Sequence, residues 1–224
     1  MSSDEAHIPY PFVEVPPDEM VARAHAFYHT MDRRRSIRAF SDRPVPKACI
    51  EYAIRAAGTA PSGAHQQPWR FVAVDDPALK HEIRVAAEAE EKETYEHRMS
   101  DAWREALAPI GTNWQKPYLE TAPWLVICFA ERYGLDEAGA KVKHYYVQES
   151  CGLACGLFIA AIHTMGLVTL THTPSPMGFL SDILQRPSNE RPYILFPVGY
   201  PAEGVRVPDF TRKSLDELSQ WNRG

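Results

Sequence analysis

The chain has 224 residues, a length that makes one domain the default and lets about 70–75% of the unfolded surface be buried without cross-links. A composition of 45% hydrophobic and 24% charged residues excludes a disordered chain. With 24 basic against 29 acidic residues the net charge is −5, which argues against a nucleic-acid partner. The longest uninterrupted apolar run, residues 151–162, is far shorter than the about 20 residues that a bilayer span needs.

Residues 1–17 carry Pro9, Pro11, Pro16 and Pro17 in a polar setting and read as an extended arm, with no basic segment leading into an apolar core. A soluble, cytoplasmic protein is therefore expected, with residues 18–224 forming a single domain. Asp18 opens a helix over 18–34, with Met20, Ala24, Phe27 and Met31 on one stripe. A basic loop, 33–46, precedes a helix from Pro46 to Gly58 whose apolar face is Ile50, Ala53, Ile54 and Ala57. A turn-rich stretch, 60–68, leads into a strand over 69–74. Residues 77–107 are helix-forming but polar, and 124–130 is a continuous apolar strand of the buried kind. The most apolar helix spans 143–165 and ends at Gly166. A strand over 167–171, a short helix over 178–185, a strand over 193–198 and a tail helix over 215–221 complete the order. The class is α/β or α+β, one mixed sheet covered by helices.

Negative evidence narrows the chemistry. Cys49, Cys128, Cys151 and Cys155 include no Cys-x-x-Cys pair, and Cys151 and Cys155 sit in a small apolar context that favours packing over metal binding. The nine histidines show no ligand spacing, so no metal is expected. Gly-x-Gly-x-x-Gly, the phosphate-loop motif and Gly-x-Ser-x-Gly are all missing, which weakens Rossmann, P-loop and α/β-hydrolase readings.

Two segments carry chemistry. Arg33, Arg34, Arg35 and Arg38 put four guanidiniums in six residues around Ser36 and Ile37. They can grip a phosphate, and from spacing alone a solvated basic loop is an equally good reading. In the second, Pro61-Ser62-Gly63-Ala64-His65-Gln66-Gln67-Pro68, prolines fix both ends while Gly63 permits a close approach or a positive φ. That loop could aim N–H groups at a flat ligand, although residue chemistry alone favours an ordinary connection.

Together these segments, with Pro-Val-Gly-Tyr-Pro at 197–201, resemble the FMN-dependent nitroreductase superfamily. The resemblance implies an α+β sandwich, a mixed central sheet flanked by helices, an intertwined homodimer and FMN. A narrower likeness covers 33–215. Residues 55–65, 113–119, 143–146 and 167–174 look like the iodotyrosine deiodinase family, and the chain lacks the N-terminal membrane anchor of animal members. A soluble bacterial homologue is implied.

The narrower resemblance assigns roles residue by residue. Arg34, Arg35, Ser36, Ile37, Arg38 and Arg212 match the FMN phosphate site, and Pro61, Ser62 and Gly63 the segment lining the flavin ring. Thr171, His172 and Thr173 match further cofactor contacts, with the Thr173 hydroxyl beside flavin N5. The Ala64 N–H matches the site for a substrate phenolate, and Glu91, Tyr95 and Lys116 match a substrate clamp on a lid at 85–118. Independently of the resemblance, Glu91 and Tyr95 are four apart and so neighbours on a helix face. An anionic Glu91 can bind an ammonium and Lys116 a carboxylate, although Glu91 also lies in a glutamate-rich stretch that solvation would explain. His172 stands where animal members carry threonine. Its side chain should alternate away from Thr173.

The implied activity is FMN-dependent reductive dehalogenation of 3-iodotyrosine and other halotyrosines to tyrosine and halide. A separate NAD(P)H-dependent flavin reductase is the implied electron donor. The alternatives are a broad nitroreductase or quinone reductase, a flavin-cleaving synthase of the same fold, and a non-catalytic flavin or halotyrosine binding protein.

Overall fold

The computed structural model describes residues 7–223; the first six residues of the expected arm, and Gly224, lie outside the described residues. At its centre is the strand β2, Trp124–Glu131, which pairs antiparallel on one side with β1, Trp69–Val74, and on the other with β6, Glu190–Gly199. A short strand β5, Val168–Thr169, pairs with the far side of β6, giving the order β1-β2-β6-β5. The mixed sheet expected from the sequence is thus antiparallel in all its ladders. Its parallel element is a single bridge between Ser36 and Thr169, where Ile37 N donates to Thr169 O at 3.2 Å.

Successive β2 side chains point to opposite faces, and each face has its own core. Val126, Cys128 and Ala130 meet Ile50, Ala53 and Ala57 of α2, Lys47–Gly58, and Cys151, Ala154, Cys155, Phe158 and Ile162 of α6, Val147–Thr164. On the other face, Leu125, Ile127 and Phe129 meet Ile83 and Ala87 of α3, Pro77–Glu93, and Leu180 of α7, Phe179–Ile183. The same core takes Leu119 from α5, Tyr118–Thr121. Cys128, Cys151 and Cys155 are free, buried thiols. Hydrogen bonding to Cys151 and Cys155, together with burial, pushes the Cys128 thiol up.

Three expectations change. The apolar helix starts at Val147 rather than 143, because Lys141–Lys143 forms β4 in a hairpin with β3, Tyr133–Leu135. Asp136 closes that hairpin, its carboxylate accepting from Ala138 N and Ala140 N at 3.0 and 2.8 Å. The polar helix 77–107 is broken. A π-turn over Thr94–Arg98 ends it, Met99 is extended, and Ser100 caps α4, Asp101–Leu107. The tail helix shortens to α8, Leu215–Leu218.

Packing groups the described residues up to Arg34 as one unit and those from Arg35 onward as a second. The first helix, α1, Pro17–Asp32, buries no residue, and Met20, Val21, Phe27 and Tyr28 are exposed.

Phe158 is fully buried, with Phe71 and Phe196 at ring-centroid distances of 5.9 and 5.0 Å. Phe158→Ala is expected to cost about 3–5 kcal/mol, read from the denaturant midpoint.

Candidate active site

Glu91 lies in the last turn of α3 and Tyr95 in the π-turn that follows. Lys116 arrives from the loop before α5. That loop is pinned to α3 through Glu88, whose carboxylate accepts from Lys116 N at 2.6 Å and from Arg84 Nε at 2.8 Å. Arg84 also donates to Glu120 at 3.0 Å. The structure therefore brings the three expected clamp residues together. Lys116 Nζ is 3.4 Å from Glu91 Oε2 and 5.5 Å from the centre of the Tyr95 ring. It also donates to Thr112 Oγ1 at 3.3 Å and to the Asn113 carbonyl. The side chains of Lys116 and Glu91 are only 4% and 14% exposed.

Burial acts against both charges. It raises the Glu91 pKa, with the Lys116 charge opposing, and it lowers the Lys116 pKa, with the Glu91 charge opposing. Burial also raises the Tyr95 phenol. Each charge of the pair is thus held in place mainly by the other.

Behind the clamp stand two residues, one of them missed by the sequence reading. Thr171 and Thr173 are exposed while His172 between them is buried, as strand alternation requires. The ring of His172, a residue expected among the cofactor contacts, has Nδ1 3.3 Å from Tyr118 Oη and 4.0 Å from Glu91 Oε1. Tyr118 had no expected role, although it falls inside the 113–119 segment. Burial raises its phenol well above the ordinary tyrosine value.

The basic loop divides at the boundary between the two units. Arg34 closes the first, its N–H donating to Met31 O at 3.0 Å. In the second, Ile37 is buried and the Arg35 guanidinium donates to the carbonyl of Pro208, in the irregular segment that continues to the exposed Arg212. Among the described residues no carboxylate pairs with Arg38. Its charge is felt at Tyr95, Lys116, Tyr118 and His172. A loop of Arg35, Ser36 and Arg38 that lacks acidic partners suits a phosphate or another anion.

The second segment is a tight turn. Ala64, His65 and Gln67 have φ of +50°, +54° and +48°. Gly63 serves the close approach and not the positive φ, because a Cβ there would stand 2.7 Å from Tyr145 O. Gln66 staples the turn to the start of α6, donating to Lys143 O and accepting from Tyr145 N, each at 2.8 Å. Pro61 borders an apolar groove of about 650 Å³ along α6, lined by Glu149, Gly152, Leu153, Gly156 and Leu157. A flat, backbone-rich turn and an anion-binding loop are the two kinds of donor that a flavin ring and its phosphate require.

The Nitroreductase family model matches residues 31–200, and the chain belongs to that family. Within it, the chain is 55% identical over 95% of its length to iodotyrosine deiodinase of Haliscomenobacter hydrossis, covering 96% of that protein. It is 46% identical over 95% of its length to human iodotyrosine deiodinase 1, covering 74% of it. Its fold is similar to a crystal structure of oxidised iodotyrosine deiodinase bound to FMN and 3-iodo-L-tyrosine. The TM-score is 0.76 at 31% identity, with 88% of this chain and 98% of that one covered.

Removing one charge of the clamp strands the other. Lys116→Met is expected to lower stability by about 3 kcal/mol. Adding Glu91→Gln should recover part of that loss, so that a double-mutant cycle by denaturant unfolding gives a favourable coupling.

Proposed function

We propose that this chain is an FMN-dependent reductive dehalogenase of 3-halotyrosines, chiefly 3-iodotyrosine, converting them to tyrosine and halide. One observation carries the reading: a buried, mutually paired Glu91 and Lys116 beside Tyr95, a charge pattern complementary to the two charges of an amino acid. The substrate ammonium takes Glu91 and its carboxylate takes Lys116, so the two buried charges exchange one partner for another. Tyr95 hydrogen-bonds the same end and helps exclude water. The segment 85–118, with its broken helix, acts as the lid.

An ortho halogen acidifies the phenol, and the Ala64 N–H, at the tip of the 61–67 turn, hydrogen-bonds the resulting phenolate and favours it further. Arg35, Ser36, Arg38 and Arg212 hold the FMN phosphate. Pro61, Ser62 and Gly63 line the flavin ring, and the exposed Thr171 and Thr173 hydroxyls face it. When bound, FMN would supply the two electrons for reductive cleavage of the carbon–iodine bond, iodide leaving with the bonding pair and a proton restoring C–H at that carbon. The side chains named here supply position and charge and form no covalent bond.

We also propose that two copies complete each site. Support comes from Met20, Val21, Phe27 and Tyr28, left exposed on an α1 that buries nothing, and from the small-residue groove of α6 beside Pro61. A separate NAD(P)H-dependent flavin reductase supplies the electrons. The four cysteines are free and, among the described residues, no helix is long and apolar enough to cross a membrane; both facts suit a reducing cytoplasm.

The test is anaerobic. With FMN bound and reduced by dithionite, 3-iodo-L-tyrosine is expected to reoxidise it with one tyrosine formed per flavin, a yield lost in Glu91→Gln and Lys116→Gln. Reduced enzyme that ignores iodotyrosine but reacts with nitroaromatics would make it a nitroreductase instead.

The raised Glu91 pKa also gives a sign. Ammonium binding needs the carboxylate ionised, so affinity falls as pH drops through that pKa. This acid limb is expected above the ordinary carboxylate range, and Glu91→Gln should abolish it, as followed by FMN fluorescence during substrate titration.

A further inference from the structure

His172 has no role in the chemistry above, yet it is a buried polar side chain beside the clamp. Its backbone exchanges two hydrogen bonds with Leu195, at 2.8 and 3.1 Å, which fix where the side chain starts. The residue is 4% exposed. Nδ1 faces Tyr118 Oη and Glu91 Oε1, while Nε2 is buried with no hydrogen-bond partner.

The position of the proton follows. On Nε2 it would be a buried donor without an acceptor, which costs about 1–3 kcal/mol. On Nδ1 it faces a phenol oxygen and a carboxylate. Burial, with the charges of Lys116 and Arg38 adding to it, holds the imidazole neutral by lowering its pKa to about 3. Neutrality matters here, since an imidazolium would repel the ammonium that Glu91 is to receive. The two carboxylate oxygens are divided between neighbours: Oε2 faces Lys116 at 3.4 Å and Oε1 faces His172 at 4.0 Å.

We propose that His172, as the neutral Nδ1–H tautomer, is a positioning residue that orients the Glu91 carboxylate and thereby sets the preference for substrates carrying an α-ammonium group. The inference rests on the clamp reading above. As the ammonium draws Glu91 away from Lys116, the His172 contact at Oε1 closes to a hydrogen bond and fixes the direction in which Oε2 presents its lone pairs. Active-site contacts commonly tighten in this way when the ligand arrives.

The test uses the oxidised, FMN-loaded protein and two ligands, 3-iodo-L-tyrosine and 3-(3-iodo-4-hydroxyphenyl)propanoate, which lacks the ammonium. His172→Leu is expected to weaken iodotyrosine binding by about tenfold while leaving the propanoate within about twofold. His172→Asn, which carries an amide N–H close to the place of Nδ1, is expected to restore most of the affinity. In the unaltered protein, ¹⁵N-histidine NMR should show the His172 proton on Nδ1 with Nε2 bare. Equal weakening of both ligands by Leu, no weakening of either, no rescue by Asn, or a proton on Nε2 would each overturn the proposal. Unaltered protein that binds the propanoate as well as iodotyrosine would overturn the clamp itself, and the His172 role with it.

Discussion

Everything else in the molecule is arranged around a strand buried on both faces. Because β2 alternates Val126, Cys128 and Ala130 with Leu125, Ile127 and Phe129, it requires an apolar layer on each side of the sheet. The layer of α2 and α6 holds the Pro61–Gln67 turn, through Tyr145 and the Gln66 staple. The layer of α3 and α5 holds the clamp, through Glu88 and Arg84. The two halves of the candidate site thus hang from elements on opposite faces of one sheet.

The clamp illustrates how a buried ion pair is kept in place. Lys116 is fixed at both ends, its backbone N–H on Glu88 and its ammonium on Glu91, Thr112 and Asn113. Glu88 is in turn held by Arg84, which reaches Glu120 in α5. A part-buried set of charges on α3 and α5, unremarkable as sequence, therefore serves as the frame on which the Glu91–Lys116 pair is mounted. Isolated surface pairs contribute little, but a connected set restricts the geometry of what it holds.

Much of this was legible in the sequence where apolar pattern decides the outcome. The strand at 124–130, the helix from Pro46 to Gly58 and the alternation of His172 against Thr171 and Thr173 all follow from burial period. Failures fall where polar contacts decide. Lys141–Lys143 has no apolar rhythm, so the β3–β4 hairpin was invisible until Asp136 was seen closing it. The break after Arg98 depends on Thr94, whose hydroxyl reaches Ser175 O at 3.3 Å, and on the Ser100 cap. Gly63 was rightly singled out, but the carbonyl that demands it lies 82 residues away in the chain, at Tyr145. Glu91 and Lys116 could be proposed as partners only through the family resemblance, since their 25-residue separation carries no local signal.

A clamp whose two charges already satisfy each other also acts as a filter. A lone cation that approaches Glu91 leaves the Lys116 ammonium with Thr112 and Asn113 but no opposite charge, and a lone anion at Lys116 leaves Glu91 without its counter-charge in the same way. Only a molecule presenting both signs, at the right separation, leaves no orphan behind. On the proposed clamp reading, such a pair favours a zwitterion over a simple salt ion.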